Sequence, residues 1–373
     1  MDIFSTVKGL EESKQHIKFK LLNQETQMLN EKRILESWTN GMIDKDGKMV
    51  REFQETFHSC FWEFFLFKLF QEAGFTLDQS HQMPDFIINA PTDMYVEAVV
   101  SNIKEGGKPE SKRTIVDQMS MLRPPYLHDM FYEELNESIT RDSNAVHSKI
   151  KKYRESYLKR AWVREEVPFV IALSSYDQVN YGREYIYSML ALLYGNYFDA
   201  NSEKYYQKDF IIKPETKDSN IPIGIFNNPS YSDISAIIYS CTVTIGKLTS
   251  LSISNNMPSQ NTVYNIRKNN VEGKYQLQIV SGNNPEYLAD GVFVFHNPNA
   301  KHKLPEELFS TIPVTQFFFN DGSLEYMGNE TPLVARYNTS SLLAMVSEPY
   351  IMEQIRLYNR LSISEFYDVV EDI

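Results

Sequence analysis

The sequence predicts an α/β protein: a mixed central sheet flanked by helices, with an N-terminal helical extension and a large C-terminal α+β elaboration. Three observations predict it. Residues 57–101 read as an aromatic-rich helix, a glycine stop at Gly74, and two short strands joined by a turn. A basic helical stretch follows, AVHSKIKKYRESYLKRAW, and leads into the continuous apolar run 167–173, typical of a strand buried on both faces. From about residue 180 the composition changes to short β-branched runs set among polar segments. The expected regions are therefore a helical extension at 1–49, a core at 50–178 and an α+β region at 179–373, packed on or extending the same sheet.

Residues 5–38 read as a helix with Ile17, Leu21, Leu22, Met28, Leu29, Ile34 and Leu35 at helical spacing, broken by Thr39-Asn40-Gly41. Asp44-Lys45-Asp46-Gly47 opens like a calcium loop, but the position that requires glycine holds Met49, so a turn is expected. A second helix is predicted from about 50 to 73 and carries Glu63. Asn89 to Asp93 has hairpin-turn composition. With that turn centred on Pro91 or Thr92, Asp85 falls nearly opposite Glu97, at roughly 5 Å between Cβ atoms. Residues 104–112 read as a solvated connection, and Ser143-Asn144 offers an N-cap for the basic helix, read as running to about residue 164. Beyond it, residues 183–194 read as helix, 221–226 as the start of a strand and 234–253 as a hairpin or meander. Gly246-Lys247 within that stretch lacks the earlier glycine of a phosphate loop, Cys241 standing there, and is read as a strand turn. Loop is expected over 254–274, strands in GVFVFH and IPVTQFFF, and a final helix over 351–370.

The net charge of −12 excludes a generally basic nucleic-acid coat, so any such surface must be a local patch. Two cysteines, Cys60 and Cys241, both at buried-looking positions, suggest neither a disulfide framework nor a metal site. The N-terminal stretch has no apolar signal region and no apolar run is long enough to span a bilayer, so a cytoplasmic protein without membrane contact is expected.

The chemistry centres on carboxylates. Two that face each other repel and raise each other's pKa unless a cation neutralises them, and such oxygen ligands suit Mg²⁺ or Mn²⁺. Glu97 sits between Tyr95-Val96 and Ala98-Val99-Val100, mid-strand, where glutamate is disfavoured without a partner. Glu63, among Phe and Trp, either joins that site or pairs with Lys68. The lysines and arginine of the basic helix, Lys149, Lys151, Lys152, Lys159 and Arg160, read either as phosphate contacts or as a solvated face. His296 reads as a core or loop histidine, and no Ser-His-Asp set or zinc spacing stands out.

Pro84-Asp85, a hairpin and Glu97-Ala98-Val99, preceded by a helix bearing Glu63, resemble the core of the PD-(D/E)XK nuclease superfamily over about residues 50 to 175. The resemblance implies a restriction-endonuclease-like fold and divalent-metal-dependent hydrolysis of DNA phosphodiester bonds, in restriction, defence or repair. It implies that Asp85, Glu97 and Glu63 hold Mg²⁺ or Mn²⁺ and take part in catalysis; a homodimer stays open. The chain departs from the pattern in one place, with Val99 where the family has lysine. Lys104 lies seven positions past Glu97, about 23 Å along an extended strand. Lys149, on one helix face with Ala145, Lys152 and Tyr153, is the candidate for a migrated lysine. The alternative is a catalytically inactive nuclease-like fold serving as a nucleic-acid-binding or assembly module.

Overall fold

The computed structural model describes residues 1–104, 106–176, 182–214, 216, 219–320, 322–361 and 369–370. An eight-stranded sheet runs through the molecule, its spatial order following its chain order. Its strands are β1 (Thr76–Asp78), β2 (Phe86–Ala90), β3 (Met94–Asn102), β4 (Phe169–Tyr176), β5 (Ile234–Ser240), β6 (Phe293–His296), β7 (Thr315–Asn320) and β8 (Ser323–Gly328). The first three form an antiparallel meander, whereas β3, β4 and β5 run parallel. Parallel neighbours need long crossovers, and the helices supply them. The sheet is mixed and flanked by helices, as the sequence predicts for the α/β class.

Alternation along the central strands sorts the core into two layers. Ile171 and Leu173 face one buried cluster, and Val170 and Ala172 face the other. On the second face lie α1 (Ile17–Gln24), α2 (Leu29–Trp38), α3 (Met49–Thr56) and α4 (His58–Glu72). The Trp62 indole N–H donates to the Ala172 carbonyl at 2.9 Å, fixing α4 on β4. On the first face lies the 25-residue helix α6 (Phe131–Glu155), preceded by the short α5 (Ile115–Ser120). The helix α7 (Tyr187–Tyr194) packs in the same layer.

Several boundaries differ from the sequence reading. Residues 5–38 form two α-helices, because Glu25 is extended between them and His16 starts the first by accepting the Lys18 N–H. The helix expected over 50–73 breaks at Phe57, whose φ of 42° is outweighed by burial and stacking on Phe61. Ser143-Asn144 caps nothing: α6 runs straight through it, held by the buried Leu135, Ile139, Val146 and Ile150. It ends at Glu155, with a 3₁₀ turn after it at Tyr157–Lys159, short of residue 164. The stretch read as a solvated connection is anchored through Glu110, 2.7 Å from His58 and 2.9 Å from Lys18.

In the C-terminal region, residues 234–253 form β5 and then a helix, α8 (Ile245–Ser254), instead of a hairpin. The buried ion pair of Lys247 with Glu286, at 2.7 Å, overrides the strand propensity of its Thr and Ile residues. The expected loop over 254–274 contains the strand Asn261–Lys268, centre of a three-stranded sheet with Tyr275–Ile279 and Leu333–Ser340. Its polarity misleads because Asn265 and Arg267 are buried with hydrogen-bond partners. The last helix, α9 (Ser341–Leu361), starts earlier than read, and the expected helical residues 362–368 lie outside the described residues. Among the described residues no helix is long and apolar enough to cross a membrane.

Candidate metal centre

The β2–β3 register pairs Phe86 with Val96, so one further step sets Asp85 across from Glu97. Asp85 lies just before β2 and its Oδ2 accepts the Ala98 backbone N–H at 2.8 Å. Burial raises the Asp85 carboxyl to a pKa of about 6, with the Glu97 charge adding and Lys149 and the Ala98 hydrogen bond opposing. Glu63 reaches the same cleft from α4. Its carboxyl is pushed up to about 8 by burial first, then by Asp85 and Glu97. Among the described residues the Glu63 side chain has no hydrogen-bond or ion-pair partner. Lys68, the alternative partner, pairs instead with Glu72 at 3.5 Å.

Glu97 has the opposite environment. It is fully buried, and its Oε1 accepts Lys149 Nζ at 2.7 Å and Lys152 Nζ at 2.8 Å. The Tyr157 hydroxyl donates to Oε2 at 2.5 Å. Burial works to raise the Glu97 pKa, but Lys149 and Lys152 outweigh it and hold the carboxyl below its ordinary range. Burial, then the Glu97 charge, push the Tyr157 phenol far above its usual range, so it stays a donor. The Lys149 face lies as read from the sequence: Tyr153 is buried beneath it and both lysines turn to Glu97. Val99 packs against the apolar core, and the Lys104 ammonium pairs with Glu137 at 3.6 Å.

A cavity of about 170 Å³ opens between α4, the turn before α3 and the β1–β2 loop. Lys45, Asp46, Glu52, Glu63, Asp78 and Asp85 line it. Lys45 donates to the Asp85 carbonyl at 3.1 Å; burial lowers its pKa, and Asp85, Glu63 and Asp78 pull the other way. Two residues here escaped the sequence reading. Tyr157 stands just past the end of α6, four residues after Tyr153, so continuing the Lys149–Tyr153 spacing would have found it. Lys45 had no local signal, since only the tertiary fold brings its turn to Asp85.

The five basic residues divide. Lys149 and Lys152 are spent on Glu97, whereas Lys151, Lys159 and Arg160 are exposed. The Arg160 guanidinium lies 5.7 Å over the Trp162 ring, which stacks on His81 at 4.3 Å. His296 is buried in β6 with Nε2 3.0 Å from Gln316, a core histidine.

Among the described residues no group of three or more His, Cys, Asp or Glu side chains converges to hold a metal ion. The fit is to two carboxylates. Asp85 and Glu63 face one cleft, both with raised pKa and Glu63 without a partner, an arrangement that a cation neutralises. Mg²⁺ is commonly held by one or two carboxylates with the remaining positions filled by water and phosphate oxygens. Comparison of the chain with family models, curated proteins and solved structures finds no match.

Proposed function

We propose that this chain is a divalent-metal-dependent nuclease hydrolysing DNA phosphodiester bonds on a restriction-endonuclease-like core. One observation carries the reading: Glu63 and Asp85, far apart in sequence, line one cleft, and Glu97, bonded to Lys149, stands across the β2–β3 register from Asp85. The order α4, β1 to β3, α6, β4, with β3 and β4 parallel, supports the fold that the resemblance implies. Asp85 and Glu63 would hold Mg²⁺ or Mn²⁺, with Glu97 beside them. The ion, when bound, polarises the scissile phosphate and acidifies the attacking water. Lys149 takes the place of the missing motif lysine, with its ammonium oriented by Glu97 Oε1. Lys151, Lys159 and Arg160 supply backbone phosphate contacts.

A second reading has its own support. Glu97 is saturated by two lysines and a tyrosine, and Val99 stands at the lysine position. Both favour an inactive core that binds nucleic acid. Incubation with plasmid and linear DNA in Mg²⁺, Mn²⁺ or EDTA separates the two: metal-dependent cleavage supports the enzyme, and binding without cleavage supports the module.

A further inference from the structure

A second cavity, of about 360 Å³, lies at the end of β5, where Cys241 to Thr244 turn into α8. Ligands of open α/β sheets gather outside the carboxyl ends of parallel strands, and β5 is parallel to β4. Three cations from separate elements line it: Lys18 from α1, Arg113 and Arg336. Arg336 gives three of its five N–H groups to Glu286 and to the Thr242 carbonyl, which leaves two without a partner among the described residues. Glu286 is shared with Lys247, so two buried cations stand on one carboxylate. Asp290 is held by Arg267 at 2.6 Å, and Glu110, 2.9 Å from Lys18, also lies beside Arg113.

The backbone adds to this field. Thr244 precedes α8 without a side-chain cap, so the first-turn N–H groups of Ile245 and Gly246 point out of the helix. Thr242 also lines the cavity, although its buried hydroxyl packs against Gly291 and has no hydrogen-bond partner among the described residues. Leu21, Met121 and Ile245 add apolar surface to the lining.

We propose that this cavity binds a small phosphate-bearing molecule. Its phosphate lies between Arg336, Lys18, Arg113 and the start of α8, and its uncharged remainder rests on Leu21 and Met121. The volume falls within the usual range for small-molecule sites, about 300 to 1,000 Å³. The sequence GKLT, read as a strand turn, instead lies in the first turns of α8, with Gly246 lining the cavity and Lys247 pointing inward to Glu286. None of these residues lines the Asp85 cleft, so the site stands or falls apart from the nuclease reading.

The test is calorimetry on the full chain in EDTA, with adenosine 5′-monophosphate, inorganic pyrophosphate and adenosine as probes. Adenosine monophosphate is expected to bind with a Kd below about 1 mM and adenosine about tenfold or more weaker. Gly246 has ordinary helical backbone, and a Cβ there meets only Thr244 Oγ1 at 3.4 Å and Arg336 Cδ at 3.5 Å. Gly246→Glu therefore folds, suits the first turn of a helix, and places a carboxylate in the cavity; it is expected to weaken binding about tenfold or more. Arg113→Gln is a second, milder variant, expected to weaken it about threefold. Absence of heat with both phosphate probes at about 10 mM, or equal affinity of wild type and both variants, overturns the proposal.

Discussion

Lys149 Nζ lies 2.7 Å from Glu97 Oε1 across 52 residues of sequence. Lys152 shares that oxygen, so Glu97 stays neutralised if either lysine is lost. In Lys149→Ala the cleavage rate is expected to fall about 100-fold or more while DNA affinity changes little, as for an interaction made in the transition state. Single-turnover cleavage and equilibrium binding, measured side by side, check this. Equal rates for Lys149→Ala and wild type, where Glu97→Ala is inactive, contradict it.

Among the described residues Tyr157 is the one donor to Glu97 Oε2, and Tyr157→Phe removes it in a fully buried setting. Leaving that oxygen unpaired is expected to cost about 1–3 kcal/mol of stability. Urea denaturation reads this as a lower midpoint at unchanged slope; an unchanged midpoint contradicts the assignment.

The raised pKa values of Glu63 and Asp85 predict a pH dependence. Both lie above the ordinary carboxylate value, at about 8 and about 6, so the folded chain binds more protons than the unfolded one in between. Metal-free stability is therefore full below the ordinary carboxylate range and falls as pH rises towards 8. Glu97 has the opposite sign, and its contribution is lost as pH falls below that range. Glu63→Gln removes a charge with no partner, and at pH 8 in EDTA its Tm is expected to rise by about 2–4 °C. A Tm–pH curve for Glu63→Gln that coincides with wild type from pH 5 to about 9 contradicts this.

The exposed cations make a separate prediction. Replacing Lys151, Lys159 and Arg160 together by Gln should weaken DNA binding and reduce the slope of log affinity against log salt by about 2–3. An unchanged slope identifies them as a solvated face.

The hairpin was legible because strand periodicity is local: Asn89 to Asp93 set the turn, and the turn set the Asp85–Glu97 register. The Lys149 face was legible for the same reason, through helical spacing against the buried Tyr153. What escaped were features fixed by distant contacts. Ser143-Asn144 looks like a cap, yet Asp142 beside them is buried against Ser101 and Ser188 from two other elements. Lys247 and Arg267 look solvated but are buried on Glu286 and Asp290. The saturation of Glu97 by Tyr157 and Lys152 also needed the packing of α6 on β3.

The most direct test of the nuclease reading is a plasmid and linear-DNA cleavage assay with Mn²⁺, Mg²⁺ or EDTA, run on wild type and Asp85→Ala, with folding verified by thermal melting. Wild type is expected to cleave only with a divalent ion, and Asp85→Ala, folded, not to cleave at all. Folded wild type that leaves every DNA substrate intact with both ions, or Asp85→Ala that cuts as fast as wild type, contradicts it.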